Sequence, residues 1–428
     1  MSPEPNSLSS DCVSSESVAI VGGGIIGIAC AHYLNQRGYT VTVIDQNAIA
    51  AECSHGNCGY ICPSHVLPLT EPEAFKVALK SLFQPNAPFR VKPSVGISQW
   101  KWFLRFAARC NETQMLRAGQ HLKAILDSSM HLYRELMTEE NIQCEWKESG
   151  LLYVFRGEHA LREFAKGDDF LTKHFGVTAE LIKGDELNDF DPALNKDLAG
   201  AYYYAGDASV RPDLLCASWT QILTERGVEF RPHCELKSIY REGSQIRALE
   251  TSQGHINADR FVFSLGAKSP VFSQQLNCKL PVLPGKGFSV TMQRPELCPR
   301  YPMLFPEHKV GVSPFEQGYR LGSMMEFAGY DDSIPQQRID QLRSSAEPYL
   351  INPHTDTELD RWYGWRPMTW DSLPIIGPIS PESNAIVATG HNMLGLSLAT
   401  ATGKLVTELL SGDRPHLDVD PFSPARCQ

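Results

Sequence analysis

Val18-Ala19-Ile20-Val21-Gly22-Gly23-Gly24-Ile25-Ile26-Gly27 decides the fold. Four apolar residues, a glycine cluster and an apolar helical run read as strand, tight turn and helix. Gly22, Gly24 and Gly27 fall on the G-x-G-x-x-G spacing, and each has a separate duty. The first permits the sharp turn, the second lets a pyrophosphate approach the backbone, and the third lets the helix lie close to the strand. The helix N-terminus that follows offers unpaired N–H groups and a positive dipole end to phosphates. The next strand, Tyr39-Thr40-Val41-Thr42-Val43-Ile44, ends in Asp45, about 18 residues beyond Gly27. An acid at that tip suits a ribose hydroxyl pair. Together these features predict a dinucleotide site, for NAD or FAD, on a Rossmann-like α/β sheet.

The length of 428 residues suits about two to three domains. A hydrophobic share of 42% against 21% charged residues leaves ample material for a large core. The net charge of −10 and a pI near 5.7 argue against a nucleic-acid partner, which would ask for a basic face. No long Lys/Arg run is present, so the linear sequence holds no polybasic membrane patch. Peripheral membrane contact through a folded apolar or basic surface stays open. The uncharged stretch Ser17 to Leu34 is long enough to be weighed as a membrane span, but its glycines sit at motif spacing and it contains His32. The preceding tail carries Glu4, Asp11 and Glu16 and no Lys or Arg, the opposite of an export signal. The expectation is a soluble cytoplasmic protein with a disordered tail at 1–16. The 12 cysteines are scattered without a C-x-x-C pair, and Cys53, Cys58 and Cys62 lack zinc-site spacing. Reduced thiols and no metal are expected.

Beyond Asp45, the loop from Gln46 to Tyr60 is rich in small residues and suits either close approach to a cofactor or an ordinary surface turn. Pro63, Pro68, Pro72, Pro85, Pro88 and Pro93 then punctuate an irregular exit from the nucleotide-binding region. Helical patterns cover 100–109, 116–137, 158–175, 213–226, 335–349 and about 397–410. Strand patterns include 144–155 around Gly150, Tyr202–Tyr204, 235–240, 246–251, 255–258 and 260–265. The turn after Phe263, with Gly266 and Ala267, is the arrangement expected where a buried sheet meets a cofactor edge.

Four segments in this order carry a family resemblance: the fingerprint with Asp45; Ser54-His55-Gly56-Asn57-Cys58-Gly59 followed by Pro63-Ser64-His65; Gly364 to Gly377; and Ala388 to Leu396 with its closing helix. On them the chain resembles the FAD-dependent D-amino acid oxidase superfamily, and within it the bacterial D-amino acid dehydrogenase group of small-subunit type. The resemblance implies a discontinuous FAD-binding domain at 17–80, 200–275 and 362–428, and a mixed-sheet substrate domain at 81–199 and 276–361. It implies that Gly22, Gly24 and Gly27 hold the FAD pyrophosphate and Asp45 the adenosine ribose, with Ile26 and Gln46 also among the cofactor-binding residues. Cys53 and Ser54 match a Thr-Ser pair near the phosphates and flavin, and a thiol is a poorer hydrogen-bond partner than the hydroxyl it replaces. Gly59 and Tyr60 match positions beside the flavin ring and Leu236 the strand that meets adenine, with Asn57 and Gly266 also expected among the cofactor-binding residues. Gly390, Met393, Leu394, Gly395 and Leu396 match the loop near the flavin pyrimidine.

Arg366 matches the arginine that holds a substrate carboxylate in amino-acid-oxidising relatives, as a planar guanidinium can by two parallel hydrogen bonds. Met393 stands where some glycine-oxidising relatives carry a second Arg, so the clamp falls to Arg366, helped by Tyr60 or Tyr319. Phe288 departs from a Tyr in the group's Gly-Tyr-Ser. His391 is a candidate proton acceptor or, preferably, a positioning residue. The implied reaction is hydride transfer from a D-amino acid or cyclic imino acid to FAD, with electrons passed to a quinone or carrier protein. An oxygen-using glycine or N-methyl amino acid oxidase and a flavin-binding subunit without turnover of its own are the alternatives. Association with another subunit and peripheral contact with the inner face of the cell membrane stay open.

Overall fold

The computed structural model describes residues 16–72, 89–91 and 96–428. The expected tail, apart from Glu16, and the prolines at 85, 88 and 93 lie outside the described residues. Within them the fingerprint strand Ser17–Val21 is buried from Val18 onward and pairs in parallel with Thr40–Ile44 on one side and Arg260–Phe263 on the other. A continuous apolar run of this kind belongs in the middle of a parallel sheet covered on both faces. The sheet has six strands, ordered Ile375–Pro378, Ala385–Thr389, Arg260–Phe263, Ser17–Val21, Thr40–Ile44 and Glu229–Arg231. Its strands come from the beginning, middle and end of the chain. The first helix, Ile25–Gln36, buries Ile28, Ala29, Cys30, Ala31 and Leu34 completely, because the closing helix Ala399–Ser411 packs against it.

A second, nine-stranded mixed sheet runs Glu358–Met368, Leu283–Met292, Gly318–Phe327, Val310–Phe315, Met303–Phe305, Leu151–Phe155, Gly200–Tyr204 and Glu180–Lys183, with Phe89–Val91 beside Gly318–Phe327. Every residue of Leu283–Met292 is buried. Two expected boundaries fall inside this sheet. Gly200–Tyr204 pairs with Leu151–Phe155, and Glu358–Met368 pairs with Leu283–Met292. Residues 200–204 and 362–368 therefore run with strands assigned to the other region, because backbone pairing and not the position of a motif sets where a strand belongs.

The long helix Glu112–Glu139 is capped by Asn111, whose side chain accepts the Gln114 N–H at 3.1 Å. It buries the stripe Leu122, Ile125, Leu126, Met130, Leu132 and Leu136 read from the sequence. The Tyr133 hydroxyl on this helix donates to the Leu396 carbonyl at 2.7 Å, tying it to the segment that precedes the closing helix. Glu158–Phe175 forms as expected and stops at left-handed Gly176. Helix Gln336–Ala346 is shorter than the 335–349 pattern, and the closing helix starts at Ala399 instead of 397. No helix among the described residues is long and apolar enough to cross a membrane.

Candidate active site

A cavity of about 600 Å³ runs from the fingerprint turn to the nine-stranded sheet. At its first end Gly22 has φ +107°, and a Cβ there would lie 2.4 Å from the Ser264 carbonyl oxygen. A Cβ on Gly27 would lie 1.9 Å from the Gly22 carbonyl oxygen, so this glycine serves the close helix–strand contact and lies behind the cavity wall. Gly24 differs. It faces the cavity, and a Cβ there would meet nothing nearer than Ser54 Oγ at 3.5 Å. Ser54 Oγ in turn accepts the Ile25 N–H at 3.0 Å and fixes the start of the helix. Asp45 accepts the Gly23 N–H on one carboxylate oxygen and the Asn47 N–H on the other, both at 2.8 Å. Burial pushes its pKa up, while these two N–H bonds and Lys268 oppose the shift. Each oxygen retains a lone pair for a diol. Open backbone at a helix N-terminus, an acid at the second strand tip and Leu236 on the lining fit an adenine dinucleotide such as FAD.

The loop 46–60 carries the cavity wall onward, with Gln46, Cys53, Ser54, Asn57 and Tyr60 lining it. It is held by a residue with no sequence signature. Arg320, 2% exposed, donates Nη1 to the carbonyls of His55 at 3.0 Å and Asn57 at 2.7 Å, and Nε to Thr291 Oγ1 at 2.8 Å. Gly59 does not line the cavity; it has φ +82° and packs its Cα against the Val210 carbonyl. Cys53 donates Sγ–H to the Trp365 carbonyl at 2.8 Å, and burial pushes its thiol up to about 12, so it stays protonated.

At the far end, Arg366 extends from the edge strand over Gly287, where a Cβ would lie 2.2 Å from Nη1. Nη1 donates to the carbonyl of Met324 at 2.6 Å. Met324 itself sits at φ +64°, an unusual conformation for this side chain. Among the described residues Arg366 forms no ion pair, and only the Cys53 and Cys58 thiols oppose the burial that pulls its pKa down. It is therefore a cation on the cavity wall with no ion-pair partner among the described residues. The cavity wall beyond it crosses four strand spacings to Leu304, about 20 Å. Phe288, Leu304, Phe305 and Val310 make that part apolar, with the Tyr153 hydroxyl 3.2 Å from His65 Nδ1.

The structure thus gathers Gly22, Gly24, Ile26, Asp45, Gln46, Cys53, Ser54, Asn57, Tyr60, Leu236, Gly266, Arg366, His391, Met393, Leu394, Gly395 and Leu396 around one cavity. Gly27, Gly59 and Gly390 support it from behind; Gly390, at φ +74°, makes the turn that follows the strand Ala385–Thr389. Two clamp expectations need correction. Tyr319 is fully buried and donates to the Pro353 carbonyl at 3.1 Å, outside the cavity. Tyr60 lines the cavity, but its hydroxyl lies 2.9 Å from the carbonyls of both Met303 and Val312, which occupy its single proton. His391 is buried beside Thr402 Oγ1 at 3.1 Å, and burial brings its pKa down to about 3. Burial so disfavours the imidazolium that the ring is a weak base, which favours positioning over proton acceptance. Asn392 escaped the sequence reading although it lies inside the quoted segment. At φ +53° it accepts the Thr369 N–H at 2.8 Å and donates to the Gly390 carbonyl at 3.0 Å, locking the turn to the end of the Arg366 strand. Its tolerance of left-handed backbone was the available signal.

With this geometry in view, the family model described as DAO, FAD dependent oxidoreductase, matches residues 17–409. The chain belongs to that family. It is an FAD-dependent oxidoreductase, and the residues around Gly24 and Asp45 are those that would hold the dinucleotide. Similar curated proteins are a D-amino acid dehydrogenase of Agrobacterium fabrum (strain C58 / ATCC 33970), 30% identical over 96% of this chain and 99% of the relative, and one of Neisseria gonorrhoeae (strain NCCP11945), 29% identical over the same shares. Among solved structures, glycine oxidase from Geobacillus kaustophilus aligns with a TM-score of 0.75 at 22% identity, covering 96% of this chain and 99% of that one. L-proline dehydrogenase from P. horikoshii aligns at 0.74 and 19%, covering 96% and 97%. These two share the DAO-family fold with this chain.

Proposed function

We propose that the protein oxidises a D-amino acid or a related cyclic imino acid at its α-carbon and passes the electrons to a quinone or another carrier. The observation that carries the reading is Arg366, a cation on the cavity wall with no ion-pair partner among the described residues. A substrate carboxylate would complete it, since a partly buried guanidinium gains most from a planar anion that accepts two parallel hydrogen bonds. The curated relatives named D-amino acid dehydrogenase, matched nearly end to end, support the same substrate class.

When bound, FAD supplies the acceptor for the hydride that leaves the α-carbon. The protein's own part is orientation. The Met324 carbonyl holds Nη1 and fixes the plane of the guanidinium, so a carboxylate docked on the remaining donors has one orientation. The amine loses a proton and the α-carbon a hydride, leaving an imine; an acyclic imine takes up water to give a 2-oxo acid and ammonia. His65, pulled down to about 4 by burial, and His391 are uncharged at pH 7, so neither adds an imidazolium beside the amine. We further propose that the protein works in the cytoplasm, in peripheral contact with the inner face of the cell membrane.

The test is Arg366→Ala. Loss of a charge-assisted bidentate contact should raise KM about 100-fold while the flavin stays bound. Unchanged kinetics across a panel of D-amino and imino acids, followed by reduction of a dye acceptor, would remove the assignment.

A further inference from the structure

The helix Ile97–Arg109 has one face in the protein and one that none of the described residues covers. Its buried side is anchored on the strands that wall the cavity. Trp102 is 7% exposed and donates Nε1 to the Pro281 carbonyl at 3.0 Å, and Phe103 packs edge-on against Phe327 with ring centres 5.5 Å apart. Arg109 lies 4.8 Å over the ring of Trp370, just past the strand of Arg366, and the guanidinium of Arg105, whose side chain is exposed, reaches to 5.8 Å from the same ring. On the opposite side the 100° step per residue brings Trp100, Lys101, Leu104, Arg105 and Ala108 onto one face, and all five are exposed. Trp100 is 51% exposed and Leu104 69%.

Charge decides what would cover such a face. The whole chain carries a net charge of −10, yet this helix has Lys101, Arg105 and Arg109 and no acid. An interfacial Trp, an exposed Leu and flanking cations are the composition that settles into the headgroup layer of an anionic bilayer. A second copy of the chain would bring the same cations against each other. The anionic bilayer is therefore the better complement.

We propose that the outer face of Ile97–Arg109, through Trp100, Lys101, Leu104 and Arg105, docks the protein on an anionic lipid bilayer. The placement deepens the acceptor part of the proposed function, since a lipid-soluble quinone resides in that bilayer, and it rests on that reading only for its purpose. Docking puts the strands that carry Phe327 and Arg366, and hence the cavity wall, next to the membrane.

The experiment is flotation of the purified, FAD-loaded full chain with phosphatidylcholine vesicles, with and without phosphatidylglycerol, with dye reduction by D-amino acids measured on the same samples. At low salt the protein should float with the phosphatidylglycerol vesicles and come off as salt rises. The pair Trp100→Ser with Leu104→Ser, and separately Lys101→Gln with Arg105→Gln, should each lower the bound fraction about tenfold, with flavin spectrum and dye reduction unchanged. Failure of the parent chain to float, equal binding to neutral vesicles, or variants that float like the parent would overturn the inference. So would a dimer that Trp100→Ser with Leu104→Ser dissociates. An enzyme that reduces dye without floating sinks only the docking; one that floats without turnover sinks only the substrate reading.

Discussion

At Asp45 each carboxylate oxygen already accepts one backbone N–H, from Gly23 and from Asn47, so the side chain both shapes the turn and faces the cavity. Asp45→Ala removes the charge-assisted bonds a ribose diol would make to it. The FAD dissociation constant should rise about 10–100-fold, the equivalent of about 1.5–3 kcal/mol, in a flavin fluorescence titration. An unchanged constant would place the ribose elsewhere. This residue was legible in the sequence because its position follows from the length of one βαβ step. Arg366 was legible only through its match to a family motif. That its partner is a carbonyl at a left-handed Met324, with no ion pair to a carboxylate among the described residues, comes from strand pairing across the sheet.

The loop 46–60 shows how an element with a readable composition can be held by an unreadable partner. Its small residues announce close approach, but the restraint comes from Arg320, some 260 positions away and buried in a strand. Arg320→Met should leave the carbonyls of His55 and Asn57 without their donor and cost about 2–4 kcal/mol in denaturant unfolding, with faster loss of flavin. Stability and flavin retention equal to the parent would show that the Trp362 indole, which donates to the Glu52 carbonyl at 3.1 Å, is enough to hold the loop. The same limit explains the shifted helix ends. Periodicity reports which residues are apolar together, whereas the last turn depends on what packs against it.

Across the whole molecule, burial of imidazoles sets an acid limit to stability. His32, on the first helix, is 2% exposed and packs against Trp219, whose ring centre lies 5.4 Å away; burial brings its pKa down to about 4, only partly offset by Glu140. The folded state keeps it neutral while the unfolded chain protonates below about 6.5. The unfolded state thus binds more protons between about 6.5 and 4, and stability falls as pH falls through that window. His65 and His391 act in the same direction. Asp207, raised to about 6 by burial, takes its proton first in the folded state and acts in the opposite direction below that pH. His32→Leu should flatten the dependence of unfolding free energy on pH by about 1.4 kcal/mol per unit across the window. A slope identical to that of the parent would mean that His32 is protonated in the folded protein.

By itself the sequence determined the dinucleotide turn, its acid, the long amphipathic helix and the order of the motifs. Each depends on residues close together in the chain, where glycine spacing and periodicity act directly. Only the tertiary structure decided which glycines face the cavity, which hydroxyls are already occupied, and that Arg366 has no ion-pair partner among the described residues. It also moved residues 200–204 and 362–368 into the nine-stranded sheet. Those outcomes depend on hydrogen-bond partners and burial supplied by strands far apart in sequence, and no local pattern encodes the residue that arrives from across a sheet.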